Sequence, residues 1–307
     1  MGQYTARRLL QMIPVIIGTT FIIFAMVWAL PGDPFAGKCG DRPCPPSYIA
    51  EQTARYNLDE PLVVQYVKYM GNLVTGDLGE TFRGTQVIDE LAVALPATLK
   101  LTTLAIVIEI VIGIGAGVLA GLKRGSFIDN LVLLSTLVVI SIPIFVIGYL
   151  AQFILGVQLG LFPPTVGRGA PWSDLLLPAL VLASVSLAYV ARLTRTQLAE
   201  NMRADYVRTA TAKGLPRRTV VRHALRNSLI PVVTFIGIDF GALMGGAVVT
   251  EGIFNIKGIG GLVFGSIATR EGATVTAAIT FIVIVFLLVN LLVDLLYGVL
   301  DPRIRYE

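Results

Sequence analysis

Three carboxylates lie inside apolar runs of this chain: Glu109, Asp239 and Asp294. A charge at that depth is costly and normally faces a partner or a water-filled cavity. Each can line a solute path, be held protonated, or be satisfied by a neighbouring hydroxyl. A proton relay wants a series of such groups, often with a histidine, and the only histidine, His223, lies in a basic loop. Asp239 and Asp294 could pair as an intramembrane protease requires, but neither has a catalytic sequence context. The chain contains no GxxxxGKS/T phosphate loop and no HExxH, CxxC or Ser-His-Asp grouping. It reads as non-catalytic, with no cofactor or metal of its own. Cys39 and Cys44, the only cysteines, stand in CGDRPC, where four intervening residues can close a small disulfide ring. Two free thiols are the alternative, and a metal site needs more ligands than are visible.

A second feature is electrostatic. From Arg192 to Arg226 there are nine basic residues (Arg192, Arg195, Arg203, Arg208, Lys213, Arg217, Arg218, Arg222, Arg226) and two acids, Glu200 and Asp205. An apolar run lies on either side. Asp205 is placed to cap a short helix over 206–213. Gly214 can turn the chain, and Pro216 suits the start of a second helix over 217–228. On that helix Val220, Val221, Ala224 and Leu225 share one side and most arginines the other. The product is an amphipathic arm suited to a cytoplasmic partner. A helix lying among lipid headgroups and a plain orientation signal are the competing readings.

These groups must be positioned by membrane helices. Of 307 residues, 55% are hydrophobic and 14% charged, against roughly 25% charged in soluble domains. The surplus base lies in short loops between spans, which argues against nucleic acid as a partner. A span needs about 20 mostly apolar residues. Six runs qualify: 9–30, 101–122, 131–157 interrupted by Pro143, 175–191, 229–249 and 275–300. The fold class is therefore all-α, a multi-pass membrane protein with six transmembrane helices. Its first run is too long for a cleaved signal core of about 7–15 residues. Bases in short loops stay on the cytoplasmic side. Arg7, Arg8, Lys123, Arg124, the nine listed above, Arg303 and Arg305 then lie inside, with both termini. Arg168, Lys257 and Arg270 lie outside.

Three segments follow: 1–30 with the first span, a long outer loop at 31–96, and 97–307 with five spans and the arm at 192–228. The outer loop carries nine acids against five bases. Residues 49–73 suggest one or two amphipathic helices broken near Asp59-Glu60-Pro61. This acidic cap can meet a secreted partner or act as a lid packed on the spans. Gly113, Gly115, Gly117 and Gly121, like Gly237, Gly241, Gly245 and Gly246, form small-residue stripes suited to close helix packing or to a flexible gate wall.

ADYVRTATAKGL at 204–215 followed by HALRNSLIP at 223–231 resembles the cytoplasmic coupling motif of binding-protein-dependent ABC importer permeases, in their dipeptide/oligopeptide branch. PGDPF at 31–35, TEGIFNIKGIGGL at 250–262 and LDPRIRY at 300–306 are similar to further segments of that family. One departure stands out. The family motif opens Glu-Ala-Ala, where this chain has Arg208, Thr209 and Ala210 ahead of Gly214. The resemblance implies a type I ABC importer permease fold in the inner membrane of a prokaryote. It implies a second homologous permease subunit, two ATP-binding subunits that hold ATP and Mg, and an extracytoplasmic substrate-binding protein. Ala210 would pack on the ATPase, Gly214 would shape the turn, and Lys213, Arg217 and Arg222 would touch its surface. The outer loop and Thr250, Glu251, Phe254, Gly258 and Gly260 would receive the binding protein. Cargo would be dipeptides or oligopeptides, with glutathione, a nickel chelate or haem possible on the same architecture. An ion-coupled carrier and a membrane scaffold are the rival functions.

Overall fold

Lipid gives backbone amides no partner, so apolar runs of this length must be helical. The computed structural model of the protein describes residues 2–29, 36–39 and 44–300. PGDPF and residues 301–306 of the tail motif lie outside them. The helices run α1 Gly2–Trp28, α2 Ala36–Cys39, α3 Pro46–Tyr56, α4 Leu62–Thr75 and α5 Val87–Ile108. A π-helical turn, Glu109–Ile114, joins α5 to α6 Gly115–Leu122. There follow α7 Phe127–Ser141, α8 Ile144–Ala151 with a π-helical end Gln152–Gln158, and α9 Leu176–Asn201. The last four are α10 Asp205–Ala212, α11 Arg217–Phe254, α12 Ile259–Ala268 and α13 Gly272–Leu300. Among the described residues no strand forms, and Glu80 and Gln86 make an isolated antiparallel bridge.

Five stretches are long and apolar enough to cross a membrane: Thr5–Trp28, Val87–Leu122, Leu176–Asn201, Arg217–Phe254 and Gly272–Val293. The run expected at 131–157 is not one rod, because Phe127–Ser141 and Ile144–Gln158 meet at 103°. Pro143 disfavours a helical residue before it, and Ile142 is extended (φ −100°, ψ 128°). The second span begins at Val87 rather than 101, since Val87, Leu91, Ala94, Thr98 and Leu101 form one buried stripe at helical spacing.

The chain divides into two compact units, Met1–Thr98 with Asn255–Glu307, and Leu99–Phe254. In the first, α1 packs on α13 and α4. Tyr66 donates to the Ile17 carbonyl (2.9 Å) and Tyr69 to Thr280 (3.1 Å). Phe21, Phe24, Trp28 and Tyr56 complete an aromatic cluster around them. Glu271 accepts from the Phe82 amide. Residues 49–73 thus fall in α3 and α4, broken at 57–61 as expected, and the loop packs down on the spans of its own unit. Arg55 pairs with both oxygens of Glu80 (2.7 and 2.8 Å).

In the second unit α9 is the hub, packed against the π-turn, α6, α7, α8 and α11. Glycines permit the approach on one side. Built-in Cβ atoms at Gly113, Gly117 and Gly121 would fall within 3.1 Å of atoms of Val190, Ala191, Thr194 or Arg195. Gly115 faces open space, as does Gly245 on α11, while Gly246 would meet Leu182 at an ordinary 3.6 Å contact.

Gly117→Ala would place a methyl 2.5 Å from Thr194 Cβ and 2.6 Å from the Ala191 carbonyl oxygen. Such overpacking should cost about 1–3 kcal/mol, read as a lower thermal-unfolding midpoint in detergent. Gly115→Ala should stay within about 0.5 kcal/mol of wild type, and equal shifts for the two would refute the close-contact account. In the outer loop, the hydrogen bonds from Arg55 hold the Glu80 carboxyl below its ordinary range. Such a group stabilises above the ordinary carboxylate range and loses that contribution as pH falls through its lowered value. Acidification should therefore speed proteolysis of the 46–86 segment, and Glu80→Gln should flatten that acid response.

Candidate functional site: a basic helix-turn-helix

The arm is built by three helix ends. α9 does not stop at Ala191. Val190, Ala191, Thr194, Leu198 and Ala199 are buried at helical spacing, and Asp129 neutralises Arg195 through a two-pronged pair at 2.8 Å. Asp129 also accepts from the Gly125 amide, and Ser126 caps α7. Arg192 and Arg195 therefore belong to the span rather than the arm.

α10 starts from Ala204, whose extended backbone (φ −67°, ψ 153°) supplies the N-cap position without a side-chain bond. Asp205 is the first helical residue and not the cap, and its exposed pair with Arg208 is long at 3.5 Å. Such pairs contribute little. Gly214 has φ +72°, the left-handed conformation that favours glycine after a helix. The amides of Gly214 and Leu215 return to the Thr211 and Ala210 carbonyls.

The second helix of the arm is not separate. Arg217–Phe254 is one 38-residue helix, so the arm continues into the fifth span without a break. Pro231 lies inside it, where neighbouring groups in a membrane helix can accommodate the missing amide.

Leu198, Val207, Val220 and Ala224 are buried together, with Val118, Leu122, Met202, Ala210 and Leu225 against them. This cluster fixes the arm on the span ends. Ala210, expected to face a partner, is half-buried here. Polar clamps missed in the sequence reinforce it. Asn201 donates to Ser228 (3.1 Å), and Tyr206 donates to Asn201 (2.8 Å). Asn201 lies ten residues beyond the apolar run 175–191 and directly after Glu200, so the sequence carried no clear signal of this role. The face left exposed carries Arg208, Thr209, Lys213, Gly214, Leu215, Arg217, Arg218, Arg222 and Arg226. It is a strongly basic ridge with Leu215 at its tip, and can receive an acidic surface.

The other singled-out residues distribute unevenly. Glu109 and Asp239 are brought face to face, while the Asp294 side chain lies outside the described residues. Thr250, Glu251 and Phe254 are fully buried within the second unit. Gly258 and Gly260 are buried within the first, where the Ile259 amide donates to Thr98 (2.8 Å). All five are thus buried within their own units, and along 250–262 Asn255 and Lys257 are the exposed residues. Gln152 and Val166 hydrogen bond the Ile253 and Phe254 carbonyls. Cys39 and Cys44 are bonded, with Cα atoms 5.4 Å apart.

Asn201→Ala removes two side-chain bonds that fasten the arm, a loss of about 1–3 kcal/mol. Trypsin should then cut faster after Arg203 and Arg208 in the detergent-solubilised protein while the spans stay intact. Unchanged cleavage would show that the apolar cluster alone holds the arm.

Comparison with known proteins adds an independent line. Residues 113–306 match the family described as binding-protein-dependent transport system inner membrane component. Residues 1–102 match the N-terminal family of such membrane components. The dipeptide transport system permease protein DppB of Alkalihalophilus pseudofirmus is 38% identical, with 99% of each chain covered. The di/tripeptide transport system permease protein DppB of Pseudomonas aeruginosa is 40% identical, and the glutathione transport system permease protein GsiC of Escherichia coli 37%, each with 100% of both chains covered.

Proposed function

This chain belongs to the inner membrane components of binding-protein-dependent transport systems, and we propose that it forms part of the pathway of an ATP-driven importer for dipeptides and oligopeptides. The observation that carries the coupling is the exposed basic ridge on residues 203–228, fixed to the span ends and continuous with α11. A push on Arg217, Arg218 or Arg222 is transmitted along one helix into the membrane. The chain supplies no phosphate-binding loop. Two partner subunits would bind ATP and Mg, and their closure would displace the ridge. A second homologous permease completes the pathway, and an extracytoplasmic binding protein delivers the cargo. Both termini and the ridge face the cytoplasm, as the bases in short loops require. The glutathione permease among the relatives makes that tripeptide the second cargo reading.

On this reading Gly214, Lys213, Arg217, Arg222 and Leu215 meet the ATPase, with Arg208 replacing the acidic start of the family motif. Gly214 has open space around it, so a larger residue there is strained by its backbone by about 1–2 kcal/mol and also protrudes into a docked partner. Gently solubilised, the tagged wild-type chain should bring down a second multi-span protein and P-loop subunits. Gly214→Trp should keep the permease partner and lose the P-loop subunits. Recovery of the chain alone, supporting uptake in liposomes without nucleotide, would overturn the proposal.

A further inference from the structure

Glu109 and Asp239 come from different spans. Glu109 is 0% exposed and opens the π-helical turn Glu109–Ile114. Such turns are frequent at functional sites. Ile106 and Ile114 flank Glu109 on the second span and pack with Val232 and Ile236 of α11, one turn before Asp239. The two carboxyl groups face one another, with Ser186 of α9 beside Asp239. With both as carboxylates, neither Glu109 oxygen has a hydrogen-bond partner, nor does Oδ2 of Asp239.

Among the described residues no base compensates them. α9 has no charged residue between Leu176 and Ala191, and Arg192 beyond is exposed. On the second span Lys100 donates to the Gly169 carbonyl (3.2 Å). On α11 the nearest base is Arg226, exposed on the ridge. From α7, Asp129 is engaged by Arg195, and α8 is uncharged. Two adjoining carboxylates without a cation are disfavoured in such a place by desolvation and by mutual repulsion. A carboxylic acid can donate where a carboxylate cannot. One proton, taken from water, gives an O–H of one group to an oxygen of the other and answers both problems at once.

We propose that Glu109 and Asp239 form a proton-binding site that clasps the second span to α11, one proton being held between the two carboxyl groups. The clasp does not depend on the transport reading. A consequence that does depend on it follows from helix continuity. The helix that presents Arg217, Arg218 and Arg222 also carries Asp239. Displacing α11 parts the carboxyls, and the proton passes to water admitted by the opening. Return of the helix takes a proton back up.

Infrared spectroscopy of the reconstituted complex at neutral pH tests the clasp. The wild type should show a protonated-carboxyl C=O stretch that shifts in D2O. That band should be altered in Glu109→Gln and in Asp239→Asn, and lost in the double variant. Glu109→Gln keeps an N–H donor toward Asp239 and is the variant expected to fold; monodisperse elution checks this. A carboxyl region identical in wild type and the folded variants overturns the proposal. Trapping the partner ATPase with ATP and vanadate then reads the link. Loss of the wild-type band supports proton release on α11 movement, and an unchanged band overturns that consequence while leaving the clasp. Failure of P-loop subunits to co-purify sinks the transport reading instead, since the band belongs to this chain alone.

Discussion

The close approach of α9 to the second span is the constraint on which the second unit depends. Hydrocarbon solvates one apolar helix as well as another, so spans associate through fit and buried polar contacts rather than hydrophobic drive. Gly113, Gly117 and Gly121 remove the side chains that would hold the helices apart. With α9 seated there, its other faces receive α7, α8 and α11. Its Arg195 meets Asp129, and its Ser186 stands beside Asp239. The same seat places Leu198 where Val207, Val220 and Ala224 can close over it.

That last cluster holds the basic ridge firmly on the span ends. The ridge is amphipathic in the ordinary sense, with its apolar side consumed by the span ends and its arginines left outward. A flexible loop of the same charge would bind an acidic partner but transmit little displacement. Here Gly214 sets the turn, Asn201 bridges the end of α9 to Ser228, and α11 runs unbroken into the membrane. The ridge and the fifth span therefore share one helix.

The first unit follows a different logic. Its core is aromatic, with Tyr66 and Tyr69 both shaping the packing and hydrogen bonding to α1 and α13. The acidic outer segment is held by these contacts and by Arg55 with Glu80, so it is a built cap and not a loose tether. Peptide and glutathione permeases are similar to this chain along its whole length.

Composition and hydropathy by themselves determined the helical, multi-pass class, because continuous apolar runs of about 20 residues satisfy their backbone in lipid as helices, whereas barrel strands are shorter and alternate. They also located the basic ridge, the turn at Gly214 and the break at 57–61, since these depend on local charge and backbone freedom. Helix ends were less legible. Arg192 and Arg195 read as loop charges until Asp129, remote in sequence, neutralised one of them. Pro143 read as a kink, but the 103° bend depends on what the two halves pack against. The segment from Thr250 to Gly260 read as an outer surface, whereas most of its residues are buried and Asn255 and Lys257 are the exposed ones. Only the tertiary structure decided that Glu109 meets Asp239, that Ala210 turns inward and that the ridge is continuous with the fifth span. The first two are contacts between residues far apart along the chain, and periodicity carries no information about which faces of separate helices come together; the third is a helix boundary, which local sequence left open between the arm and the span.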